Sequence, residues 1–142
     1  MDNDRLKHSI SVARKMVEIG KTYNLSDREL QELFMLGFNH DIGYEFSDKG
    51  LNHNVIGGNM LKENGYKFWQ EVYNHGNPNG NYSSLYLKIL NMADMQIDKH
   101  GNDVGYEKRL EDIKNRYGEN SKPYLCSKQI VENIMSSESG KI

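Results

Sequence analysis

The chain has a single cysteine, Cys126, among 142 residues. An intrachain disulfide is therefore excluded, no CxxC knuckle can hold zinc, and the usage fits a reducing compartment. No stretch approaches the roughly 20 apolar residues that a membrane-spanning helix needs. No N-terminal apolar run resembles a secretion signal. A cytoplasmic location without a membrane partner is the expectation. Excess positive charge is also missing: 18 Lys and Arg stand against 20 Asp and Glu, a net charge of −2. Long-range attraction to nucleic acid is not expected, and an anionic substrate would need a local positive site such as a bound metal. Neither common Gly-rich nucleotide loop is present. What remains is a polar globular composition, 37% hydrophobic and 27% charged. It is read as one domain over 1–142, long enough to bury a core without staples, with no internal repeat and no interdomain linker.

The apolar spacing is helical throughout and predicts an all-α bundle of about six to seven helices. Leu6, Ile10, Ala13, Val17 and Gly20 recur at helical intervals, and Val12, Met16 and Ile19 widen that face. Ser26 with Glu29 forms a capping-box signature before a second helix through Leu30, Leu33, Phe34, Leu36 and Phe38. Gly43 is expected to release the backbone at its end. Asn52 is read as the cap of a third helix carrying His53, Ile56, Met60 and Leu61, with Gly65 as its stop. Gly57 and Gly58 weaken that helix by about 1 kcal/mol each, which suggests close approach of a neighbour or a ligand. Tyr66 to Tyr73 marks a fourth helix ending near His75. After the Asn77–Asn81 loop, Ser83 or Ser84 starts a fifth, which carries Asp94. Gln96 to Tyr106 is expected to form a small hairpin around Gly101. A C-terminal helical extension is placed at about 107–136. It holds a helix from Glu107 to Tyr117 with Gly118 as its cap, a break at Pro123, a last helix over about 127–135 and a fraying tail.

Four of the five histidines sit in these helical, apolar contexts, together with two aspartates. The doublet His40-Asp41 follows an apolar run. A polar helix end facing water would explain neither the paired ligand types nor their setting. Asp94 falls within an apolar pattern, where an unpaired charge is costly. It must pair with a cation such as Arg109 or Arg116, or hold a metal, and small Ala93 would permit close helix contact beside it. His8 alone would be an ordinary helical histidine and gains weight from the others. His53 and His75 lie near helix boundaries, where surface histidines are common, yet both can supply neutral imidazoles. His100 sits in a Lys/Gly/Asn turn and is placed outside the set. Arg109 and Arg116, two turns apart, could address an anion or fasten their helix near Asp94; the structural role is preferred.

His8, the phrase Leu36-Gly37-Phe38-Asn39-His40-Asp41-Ile42-Gly43, and Asp94 after Ala93 resemble the HD-domain superfamily of metal-dependent phosphohydrolases. The resemblance covers roughly residues 5–97 and implies an HD-like helical bundle. It implies that His8, His40, Asp41 and Asp94 hold one divalent ion, and that Asp41, His53 and His75 hold a second. Asp41 would then bridge, and Asp41 and Asp94 would be the catalytic carboxylates beside a metal-activated water. Iron or manganese suits the mixed His/carboxylate set, with zinc or magnesium as alternatives. The implied substrate is a phosphoester or phosphoanhydride of a nucleotide-like small molecule. The bacterial dinucleoside-polyphosphate hydrolases and the cyclic-dinucleotide phosphodiesterases are the relevant branches.

Many members carry Lys shortly after the doublet, where this chain has Tyr44. Arg5, nearly one turn before His8, and Lys49 in the following loop are candidate phosphate contacts. Two other readings accompany the leading one. One is a single-metal nucleoside monophosphatase that needs only His8, His40, Asp41 and Asp94. The other is a non-catalytic regulatory module that binds a metal or nucleotide.

Overall fold

The computed structural model describes residues 3–45 and 53–139. Among them are seven α-helices: α1 Asn3–Thr22, α2 Asp27–Asn39, α3 His53–Glu63, α4 Trp69–Asn74, α5 Leu85–Asp94, α6 Gly105–Tyr117 and α7 Lys122–Ser139. A 3₁₀ turn, Ile42–Glu45, follows α2. No strand occurs among the described residues; a lone antiparallel bridge, Ile97 to Asp103, closes the expected hairpin after α5. Both Asn52 and Lys49 lie outside the described residues.

The helices begin and end largely for local reasons. Ser26 accepts from the Glu29 backbone N–H (3.2 Å) while the Glu29 side chain accepts from the Ser26 N–H (3.0 Å), the reciprocal cap the sequence foretold. Ser84 caps α5 by accepting from Leu87 N at 3.0 Å. Pro123 does not break the chain. It occupies the first turn of α7, where its fixed φ suits the helix and its missing N–H has no intrahelical partner to lose. The following helix runs on to Ser139, past the expected fraying point.

Three helices share one plan, in which an apolar stripe ends in a polar ligand-type residue. On α1 the fully buried apolar residues are Val12, Ala13 and Met16, in register with His8 and Ser9. Leu6 is 36% exposed, so the buried stripe is rotated from the Leu6-Ile10-Val17 face that spacing favours. Turning His8 inward brings Val12 and Met16, one and two turns on, in with it. On α2 the buried face is Leu33, Leu36 and Gly37, continued one turn later by His40. On α5 it is Leu87, Leu90 and Asn91, continued by Asp94. These stripes, with Ile89 and Val72, form the main core. A second cluster of Ile113, Ile130, Val131 and Ile134 ties α6 and α7 to Met95 at the end of α5.

The α3 glycines answer to neighbours. A Cβ at Gly58 would meet the Cα of Tyr73 on α4 at 2.7 Å, and one at Gly57 would meet the Gly43 N at 2.9 Å. Gly43 itself does not release a helix end. It lies inside the 3₁₀ turn, and a Cβ there would collide with the His53 carbonyl. Its small size lets the start of α3 press against the doublet. Gly58→Ala is expected to destabilise the fold by about 1–3 kcal/mol through overpacking against α4. The exposed neighbour Asn59→Ala should cost nothing. Urea unfolding of both variants checks this, and equal midpoints would contradict the packing account.

Candidate metal centre

Six side chains converge where these stripes end. His8 comes from α1, His40 and Asp41 from the end of α2, His53 from the first residue of α3, His75 from the end of α4, and Asp94 from the last residue of α5. Five of the six are buried; the His53 side chain is 25% exposed. The division of Asp41 is the central geometric fact. Its Oδ2 faces His40 Nε2 at 3.3 Å and His8 Nε2 at 3.5 Å, while its Oδ1 faces His53 and His75 Nε2, each at 3.5 Å. One carboxylate thus addresses two separate pairs of imidazoles. Asp94 Oδ1 lies 2.9 Å from His8 Nε2 and 3.5 Å from His40 Nε2.

Backbone carbonyls aim three of the rings. His8 Nδ1 donates to Asp98 O (2.9 Å), His40 Nδ1 to Gly37 O (2.6 Å), and His75 Nδ1 to Val72 O (2.5 Å). With the Nδ1 proton so placed, each Nε2 points at the carboxylates. This is the usual orienting device of metal-binding histidines. Asp98 belongs to the hairpin after α5, so that excursion locks α1 to the site. The hairpin's Gly101 packs on the Lys7 backbone.

The donor set fits a divalent cation on two further observations. His40 Nε2 is fully buried and makes no hydrogen bond, a cost that a ligand bond to a metal would remove. His53 and His75 bring Nε2 to Nε2 at 3.3 Å. Two nitrogens each about 2.1 Å from one ion lie about 3.0–3.4 Å apart. Three ligand groups have all their donor atoms within 4.8 Å of one another: His8/His40/Asp41, His40/His75/Asp94 and Asp41/His53/His75. The middle group was not foreseen. It joins His75 to the first set, so the two expected sets touch through this group as well as at Asp41.

Without a bound cation the protein's own charges balance. Burial disfavours charge on His40, but Asp41 and Asp94 outweigh it and hold its pKa well above the ordinary value. Burial likewise opposes ionisation of the two aspartates, yet His40 chiefly holds both well below the usual carboxylate range. His53 is pushed down to about 4, by burial first and by His75 second.

A family model described as HD domain matches residues 5–96 of the 142, from α1 to just past α5. The chain belongs to the HD domain family. No curated protein and no solved structure gives a significant match. The HD match and the clustered ligand atoms together support a metal-dependent hydrolase. The clusters are consistent with two divalent ions.

Other residues fall differently around the HD core. His100 is exposed and pairs with Asp4 at 3.2 Å. Arg109 is buried and donates from Nε to the Asp94 carbonyl (3.1 Å), with Nη2 3.7 Å from Asp94 Oδ1. Both its fastening role and its approach to the carboxylate are therefore present, whereas Arg116 pairs with Asp112. The Tyr44 ring stacks on His53 at 4.1 Å, and the Arg5 guanidinium lies 3.6 Å over the Tyr44 ring. Several supporting residues escaped the sequence reading. Asn91 accepts from Gly76 N (2.9 Å) and so fixes the turn after His75. Its place one turn before Asp94 on the same face was the available signal. Buried Glu71 accepts from Tyr82 (2.6 Å) and Ser84 (2.7 Å), holding the α4–α5 loop. No motif marks it.

His40, whose pKa Asp41 and Asp94 hold well above the ordinary value, must give up its Nε2 proton to bind a cation. Divalent-ion affinity should therefore rise with pH from 6 to 8, and binding at pH 7.5 should release protons. Manganese titration calorimetry in two buffers of different ionisation enthalpy measures the release. Zero release with pH-independent affinity would contradict the arrangement.

Proposed function

We propose that the chain is a phosphohydrolase that cleaves a phosphoester or phosphoanhydride of a nucleotide-like small molecule at this centre. The observation that carries the reading is Asp41, whose two oxygens serve two imidazole pairs. In it, His8, His40, Asp41 and Asp94 hold one divalent ion and Asp41, His53 and His75 the other, with iron or manganese the preferred metals. When bound, the ions supply Lewis acidity, a more acidic water and neutralisation of phosphate charge.

The protein's own groups do the rest. Asp41 stays ionised and presents one oxygen to each side of the centre. Asp94, also held ionised, accepts a hydrogen bond from the attacking water and orients it, while Arg109 fixes the end of α5 that carries it. The Nδ1–carbonyl bonds keep three rings from turning as charge changes nearby. Arg5, laid over Tyr44, brings a cation to the mouth of the site and is the proposed phosphate contact. It stands in for the Lys that many members carry where this chain has Tyr44. Lys49 remains a second proposed contact. The reading treats 1–142 as one domain acting in the cytoplasm. No described helix is long and apolar enough to cross a membrane.

Two relatives by activity fit this chemistry: the dinucleoside-polyphosphate hydrolases, and a one-ion nucleoside monophosphatase. The partial exposure of His53, 25% of its side chain beside five buried partners, favours keeping the one-ion reading. Asp41→Ala should lose bound metal and at least about 100-fold in turnover of nucleotide substrates. His53→Ala should retain one ion per chain, and its residual activity separates the two-ion from the one-ion enzyme. Element analysis with a nucleotide panel checks both. Full metal and activity in Asp41→Ala would overturn the reading.

A further inference from the structure

Two cavities flank the metal centre, of about 470 and 500 Å³. Each is large enough for part of one small ligand. They meet at Asp41, Tyr44, Arg109 and Arg116, which line both. Their linings differ in chemistry. The first is basic: Arg5, Lys99, Arg109 and Arg116 face it, against the carboxylates of Asp4 and Asp41. Of those two, Asp41 is already engaged by four imidazoles. The second adds the apolar side chains of Met95, Ile113, Tyr117 and Pro123, beside Lys122 and the site residues His53, His75 and Asp94.

The apolar side of this asymmetry comes largely from the α6–α7 hairpin, which lies beyond the family match at residue 96, while the hairpin's Arg109 and Arg116 stand where the two cavities meet. Arg109, Ile113 and Arg116 recur along α6 at helical spacing and share a face, with Tyr117 beside them. Arg109 and Arg116 share one carboxylate, Asp112, at 3.4 and 2.8 Å. That bond holds the Arg116 fork in place while occupying only part of its five donors. Asp112 already meets part of the charge of both guanidiniums, and the remaining Arg116 donors face the cavity it lines, where an anion can take them.

We propose that this hairpin is the substrate-selecting wall of the site. Arg116, backed by Arg109, holds the phosphate in the basic cavity. Tyr117 and Ile113 cover a single ring-sized organic group in the other. The substrate is thus a phosphate ester with one such group, as against a symmetrical molecule with two. A symmetrical substrate would need two alike cavities. The inference rests on the hydrolase reading for the position of the scissile bond.

The test uses the manganese-loaded full chain and two probes it cannot hydrolyse, inorganic phosphate and a nucleoside 5′-methylenephosphonate. Calorimetry should show Arg116→Gln weakening both by about tenfold or more, as loss of a charge-assisted fork requires. Arg116→Lys should restore part of the affinity. Tyr117→Ala should weaken the phosphonate about fivefold more than it weakens phosphate, since its ring also touches the Arg116 guanidinium. Thermal melts establish that each variant is folded; both positions are at least one-third exposed in their side chains or residue surface. In turnover, a nucleoside monophosphate should exceed a symmetrical dinucleoside tetraphosphate in kcat/KM. Wild-type affinities in Arg116→Gln, or a preference for the symmetrical substrate, would overturn the proposal while leaving the hydrolase intact. Arg116-dependent binding without turnover of any substrate would sink the hydrolase reading and leave the binding wall standing.

Discussion

Burying Asp41 and Asp94 among aliphatic side chains carries a desolvation cost of several kcal/mol per ion unless positive charge meets them. The bundle is organised around meeting that cost. Imidazoles from four helices surround the two carboxylates, and Arg109 reaches in from a fifth. The same demand sets the helix registers. His8, His40 and Asp94 each continue an apolar stripe, so the contacts that bury Val12, Leu36 and Leu90 also deliver the ligands. Folding and assembly of the centre are the same event for these helices.

Much of this was legible because short-range rules govern it. Apolar residues recurring every three to four positions marked the helices, Ser26 and Glu29 marked a cap, and a charge in the apolar pattern at Asp94 marked a buried demand for a cation. The residues drawn together are those whose types and contexts conflicted with ordinary surface placement. The misreadings arose where tertiary contact overruled local preference. Gly43 serves the close approach of α3, not a helix end. Pro123 starts a helix it was expected to precede. The face of α1 turned because His8 had to point inward. Spacing along the chain also could not show that His75 neighbours Asp94 as well as Asp41, since their separation is set by how α4 packs on α5.

The molecule has two parts with different work. The main core, α1 to α5, coincides with the family match and holds the ligands. The α6–α7 hairpin has its own small cluster and touches the first part through Met95 and Arg109. On the proposed reading the first part would hold the metal and the second would shape the pocket beside it, joined through Arg109 and Asp94.

The main-chain acceptors behind His8, His40 and His75 have a consequence for how such a sequence can drift. An orienting partner that is a side chain, such as a carboxylate, can be deleted by a point substitution. Here the partners are the carbonyls of Asp98, Gly37 and Val72. Every amino acid brings a carbonyl, so no exchange of side-chain type removes one. Only a change in the path of the backbone does. The tautomers of three rings are therefore inherited with the fold, and an alignment of side chains alone would give no sign of what holds them.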